Sequence, residues 1–83
     1  MSVNKVILLG YVGSDPEMRY PEPERAIAFL SLATNEVHGT SKTETTEWHS
    51  LVMGGANARM AEKYIRKGTR LYVEGYLRTR EYE

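Results

Sequence analysis

Only one segment of this chain has the periodicity of a helix, and that limits the fold more than any other feature. Across Asn57–Lys67, Met60 and Tyr64 fall on one stripe and Ala61 and Ile65 on the next, at i, i+4 spacing. Lys63, Arg66 and Lys67 lie in the last turns, where cations complement the helix dipole. Gly68 is placed to end the helix as its C′ residue. The rest reads as strands and turns. A first strand, with Val3, Val6, Ile7, Leu8, Leu9 and Val12, runs to residue 13 and is interrupted by Gly10 and Gly13. Glycine inside a strand marks a bend or a close backbone approach. Ser14-Asp15-Pro16 is a turn signal, and Tyr20–Glu24, with two prolines, reads as a loop. Ala26–Asn35 is a second strand, Val37–Thr43 a polar hairpin loop, and Glu44–Met53 a third strand ended by Gly54-Gly55. Thr69–Tyr82 is a fourth, with Leu71, Val73, Gly75, Leu77 and Thr79 facing one way. The order β-β-β-α-β fits a single domain over residues 1–83, all-β with one helix. It matches a five-stranded, partly open barrel whose last strand is absent.

A chain of 83 residues buries only about 60% of its unfolded surface. It has no cysteine, so neither a disulfide nor a Cys-based zinc site adds stability. Association with another chain is then the expected source. The longest nearly apolar stretch, Val6–Gly13, is far below the roughly 20 residues that span a bilayer. It also lacks the pattern of a secretory leader, which points to the cytoplasm and away from a membrane.

Catalysis finds no support. There is no P-loop, no G-x-G-x-x-G and no nucleophile elbow. His49 adjoins Trp48, and neighbours in a strand point to opposite faces, so a lone strand histidine here reads as a core or interface residue sooner than a catalyst. No cofactor or metal site is expected.

The charges are more telling. Net charge is zero, with 11 basic and 11 acidic residues, but residues 1–47 carry 4 basic and 7 acidic groups and residues 48–83 carry 7 and 4. The basic excess belongs to the helix end and the last strand. One face of that strand interleaves Arg70, Tyr72, Tyr76, Arg78, Arg80 and Tyr82, broken only by Glu74. Cations track phosphates and aromatic rings stack exposed bases, so this alternation suits single-stranded nucleic acid. A plain solvated or subunit-facing strand has the same composition. Trp48 shares its face with Glu44, Thr46 and Ser50, a polar set that favours a partly exposed ring.

Seven segments occur together in order: Val3-Asn4-Lys5-Val6-Ile7-Leu8, Asp15-Pro16-Glu17, Arg19-Tyr20, Ser31-Leu32-Ala33-Thr34, Thr46-Glu47-Trp48-His49, Tyr64-Ile65-Arg66-Lys67-Gly68 and Val73–Arg80. With them the chain strongly resembles the bacterial single-stranded DNA-binding protein family from Val3 to Tyr82. The resemblance implies an OB-fold that forms a homotetramer and wraps single-stranded DNA without sequence preference. It implies service in replication, recombination and repair, with no enzymatic activity and no cofactor. Trp48 and Tyr82 would stack bases, with Tyr76 as a further ring and His38 as a further contact to the DNA. Arg19, Lys67, Arg78 and Arg80 would lie along the phosphates. Val3, Lys5, Ile7, His49 and Tyr72 would meet neighbouring subunits.

The chain departs from the family pattern at several points. His38 stands in place of a stacking aromatic after the second strand and Gly54 in place of a Phe, while Ser50 and Ala56 replace basic residues. Phe29 stands where the family often has Asn. Each lost stack is worth about 1–3 kcal/mol, so weaker binding per subunit is expected unless Phe29 faces the DNA. Family members continue through a closing strand and a disordered tail with an acidic, apolar tip that recruits replication and repair proteins. The sequence stops before both, so such partners are expected only where a tail follows. Two other roles share the fold: a primosome-type adaptor, and an oligomerisation module that binds DNA poorly.

Overall fold

The computed structural model describes residues 1–40 and 43–79. In chain order the elements are β1 (Val6–Val12), β2 (Glu17–Glu22), β3 (Arg25–His38), β4 (Thr43–Gly54), α1 (Gly55–Tyr64) and β5 (Arg70–Gly75). All five strands belong to one antiparallel sheet built around β3. β4 runs along one edge of β3 in unbroken register from Ile27↔Gly54 to His38↔Thr43. The other edge is shared. β2 takes its start, at Glu17↔Phe29, and β1 takes its middle, at Tyr11↔Ala33 and Val12↔Leu32. β5 covers the far side of β1, from Val6↔Gly75 to Tyr11↔Arg70.

Strand alternation sorts the side chains. The even positions of β3, from Ala26 to Leu32, turn inward with Val12 and are buried, and Leu8, Leu71 and Val73 pack against them. α1 lies over this side with Ala58 and Ala61 buried, followed by Ile65. Of the two helical stripes in the sequence, Ala61/Ile65 is therefore the buried one, and Met60 and Tyr64 are exposed. The core is lean: among the described residues, five of the nine that are buried and apolar are alanine. Small side chains let α1 approach the sheet closely, at the cost of apolar area removed from water. The aromatics contribute little to it. Tyr11, Tyr20, Trp48, Tyr64, Tyr72 and Tyr76 are all exposed.

Five boundaries differ from the sequence reading. β3 runs on to His38, through residues read as hairpin loop, because Val37↔Glu44 and His38↔Thr43 continue its ladder with β4. The first strand begins at Val6, because Asn4 is engaged elsewhere: its side chain accepts from the Leu77 N–H at 3.0 Å and donates to the Leu77 carbonyl at 2.8 Å. Residues 17–22, the first part of them between the expected turn and loop and the rest read as a proline loop, form β2, so the order among the described residues is β-β-β-β-α-β with five strands and not the expected β-β-β-α-β with one strand absent. An edge strand needs hydrogen bonds on one side only, so it tolerates Pro21, and the register shifts between Arg19 and Glu22 where that proline sits. The helix spans 55–64 rather than 57–67. A longer helix would send the Lys67 and Gly68 N–H groups to its own carbonyls; instead Lys67 N donates to Asp15 Oδ1 at 2.8 Å and Gly68 N to the Val12 carbonyl at 2.7 Å. Gly68 is thus not the C′ residue. Its φ of +90° serves the turn that leads into β5. Finally, β5 ends at Gly75, short of the expected Tyr82.

Candidate nucleic-acid interface

The outward face of β2, β3 and β4 is built from the odd positions of β3 and their partners. Cross-strand partners point the same way, so the register places Trp48 beside Ala33, Ser50 beside Ser31, Val52 beside Phe29, and Glu17 on the other side of Phe29. Arg19 follows beside Ile27, and Gly54 lies across Ile27 from it. Trp48 is 61% exposed, as its polar strand neighbours suggested. Its ring occupies the space that a side chain at Gly13 would fill: a Cβ there would lie 2.4 Å from Trp48 Cζ3 and 2.9 Å from Cη2. Gly13 N donates to the Ser31 carbonyl at 2.9 Å, which holds this seat against β3. The role of Gly13 was signalled in the sequence only as a strand glycine; its partner was not.

A shallow depression beside Trp48 is lined by Ser14, Asp15, Glu17, Phe29, Ser31, Ser50, Val52 and Arg78. Arg78 thus reaches the same face from the segment after β5. Its guanidinium carbon lies 5.0 Å from the Tyr76 ring centroid, and Nη2 donates to Tyr76 Oη at 3.0 Å. Tyr76 therefore holds Arg78 in place while its own ring remains exposed. Lys67 adjoins the rim through its backbone contact with Asp15. Arg19 donates to Glu17 Oε1 at 2.7 Å on the same strand, an exposed pair that an incoming phosphate can displace. Arg80 and Tyr82 lie outside the described residues, as does Lys42.

Two sequence candidates stand elsewhere. His38 is an even position of β3, so it projects from the opposite side of the ribbon to Trp48, with Nε2 2.9 Å from Thr45 Oγ1. His49 is half-buried beside Leu32 and lies 2.9 Å from Thr34 Oγ1, on the inner side of β4. Val3, Lys5, Ile7 and Tyr72 gather around the exposed face of β1 and β5. There Ile7 pairs with Glu74 and Leu9 with Tyr72, and Lys5 Nζ lies 3.9 Å from Glu74 Oε2. Tyr72 Oη donates to Glu74 Oε1 at 2.8 Å, and this bond to a carboxylate raises the tyrosine pKa above its usual value. Among the described residues no group of three His, Cys, Asp or Glu side chains is placed to hold a metal ion, and no helix is long and apolar enough to cross a membrane.

The sequence matches the single-strand binding protein family over residues 3–83. The chain belongs to that family. A single-stranded DNA-binding protein of Bacteroides thetaiotaomicron is 46% identical over 87 aligned residues, which cover 99% of this chain and 54% of that relative. The chain thus spans about half the length of the relative it matches. The solved Plasmodium falciparum SSB complex with ssDNA superposes with a TM-score of 0.88 at 38% identity, covering 99% of this chain and 75% of that one. The single-strand binding family likeness and the five-stranded sheet with one helix agree on the OB-fold expected from the sequence.

Proposed function

We propose that this chain binds single-stranded DNA without reading its sequence. The observation that carries this is the exposed Trp48 ring, seated over Gly13 on a face that also holds Arg19 and Arg78. Every base has a π-face, so a ring presented in this way accepts any of them. Arg19, Lys67 and Arg78 take the phosphates, and Arg80 extends that path. Tyr76 and Tyr82 offer further rings, and His38 contacts the strand only where it passes to the other side of the β3–β4 ribbon. The names of the two relatives support the reading. The chain acts as a protecting and organising protein in replication, recombination and repair, not as an enzyme, and it works in the cytoplasm.

Trp48 is the only tryptophan, so its fluorescence reports the site directly. Titration with oligo(dT) at low salt is expected to quench it. Four phosphate contacts, at Arg19, Lys67, Arg78 and Arg80, predict a slope of log K against log salt of about −3, at ~0.7 per contact for single strands. An assembled protein whose fluorescence does not respond at low salt would falsify this reading and leave the oligomerisation module in its place.

We infer that the same chain forms a homo-oligomer, with a tetramer as the expected state, through the face of β1 and β5. Ile7, Leu9, Tyr11 and Tyr72 form a contiguous exposed apolar surface there, while the core beneath is mostly alanine. Such a patch is costly for an isolated subunit. Leu9→Lys places a charge at its centre and should shift the mass measured by light scattering towards the monomer. An unchanged mass excludes this face as the interface.

A further inference from the structure

We propose that Phe29 is a second base-stacking station, working in tandem with Trp48. This rests on the single-stranded DNA reading above and adds a residue to it. Phe29 and Ala33, the cross-strand partner of Trp48, are both odd positions of β3, so the two rings rise from the same side of the sheet. Their positions along the strand are four residues apart, or roughly 13 Å at about 3.3 Å per residue. On β3 and β4 the row between them is Ser31 and Ser50, directly paired, whose side chains are small. A single strand crosses that span in about four nucleotides at the stacked spacing of ~3.4 Å, and in fewer when it is drawn out.

The surroundings of Phe29 suit a base with phosphates on both sides. It borders two depressions. One holds Arg78, together with Ser31 and Ser50, and the other holds Arg19 and Ile27. A guanidinium therefore stands on each side of the ring. The neighbouring row, Gly54–Ile27–Arg19, contributes no side chain at Gly54, where even a Cβ would meet nothing within 4 Å. No side chain at the end of β4 stands between Ile27 and solvent at Gly54, and the Arg19 head, beside Ile27, can reach a phosphate there. Asp15 and Glu17 oppose this with two carboxylates at the rim: Asp15 is held by the Lys67 backbone N–H, and Glu17 gives up its bond from Arg19 when that head turns to a phosphate, so its charge then repels the strand.

The test uses the full chain and labelled oligo(dT) of stepped length, read by anisotropy so that Trp48 is not the only reporter. Phe29→Leu keeps an apolar side chain and removes the ring. It should weaken binding by roughly 5- to 150-fold, the range of one lost stack, and raise the shortest length that reaches full affinity. Phe29→Tyr should restore both. In a Trp48→Phe background, Phe29→Trp moves the fluorophore to the new station, and oligo(dT) should quench it. Binding by Phe29→Leu at wild-type strength, or an unquenched Phe29→Trp signal in a variant that still binds by anisotropy, overturns the proposal and leaves the Trp48 reading standing. Failure of the wild-type chain to bind overturns both.

Discussion

Gly10→Ala should cost this protein more stability than alanine at any other of its glycines. An added Cβ would lie 2.1 Å from the Ala33 carbonyl oxygen and 2.9 Å from its carbon, with Thr34 Cγ2 at 3.3 Å. Two of these three atoms are backbone, so no rotamer change relieves the clash and the strands must part. The junction has little to spare, because β1 meets β3 through only two register pairs, Tyr11↔Ala33 and Val12↔Leu32. Overpacking typically costs about 1–3 kcal/mol and more when the backbone must move. About 3 kcal/mol corresponds to a fall in Tm of roughly 10–25 °C for a domain of this size. Gly39→Ala is the control, since a Cβ there meets nothing within 4 Å. Thermal melts in which the two variants behave alike contradict this account of the β1–β3 crossing.

Trp48→Ala should weaken binding to oligo(dT) by about 1–3 kcal/mol, the value of one stacked base. The fold should survive, because the ring is 61% exposed and is not a member of the buried core cluster. Gly13→Ala separates the ring's presence from its placement. The new Cβ would overlap Trp48 Cζ3 at 2.4 Å, so the ring must leave its seat, while the moving atoms are the far end of a side chain and the strand itself is spared. The expected result is a shifted Trp48 emission maximum in the free protein and weaker binding, with stability less affected than in Gly10→Ala. Unchanged emission and unchanged affinity would show that Gly13 does not position the ring.

Much of the architecture was readable before any coordinates. The alternation of Leu71 and Val73 against Arg70, Tyr72 and Glu74 in β5, and the two stripes of the helix, follow from local geometry: side chains alternate along a strand and recur every three to four residues on a helix; that Ala61/Ile65 is the inward stripe was decided by packing. Elements whose ends depend on distant partners were not readable. β2 contains Pro21, and only its edge position next to β3 makes that residue acceptable. The helix stops at Tyr64 because Asp15 and the Val12 carbonyl, more than fifty residues away, take the Lys67 and Gly68 N–H groups.

The candidate site divides in the same way. Trp48, Arg19 and Arg78 were named from the sequence, and the fold gathers all three on the outward face of β2, β3 and β4. The sequence left the direction of Phe29 open, and it placed His38 with Trp48 where the register sets them on opposite sides. By itself, then, the sequence determined the chemistry available: which rings and cations exist, and which faces each strand can show. Only the tertiary structure decided which of these faces coincide. A face is a local property of one strand, whereas coincidence depends on register between strands far apart in the chain, and a shift of one residue would exchange every side chain from one side of the sheet to the other.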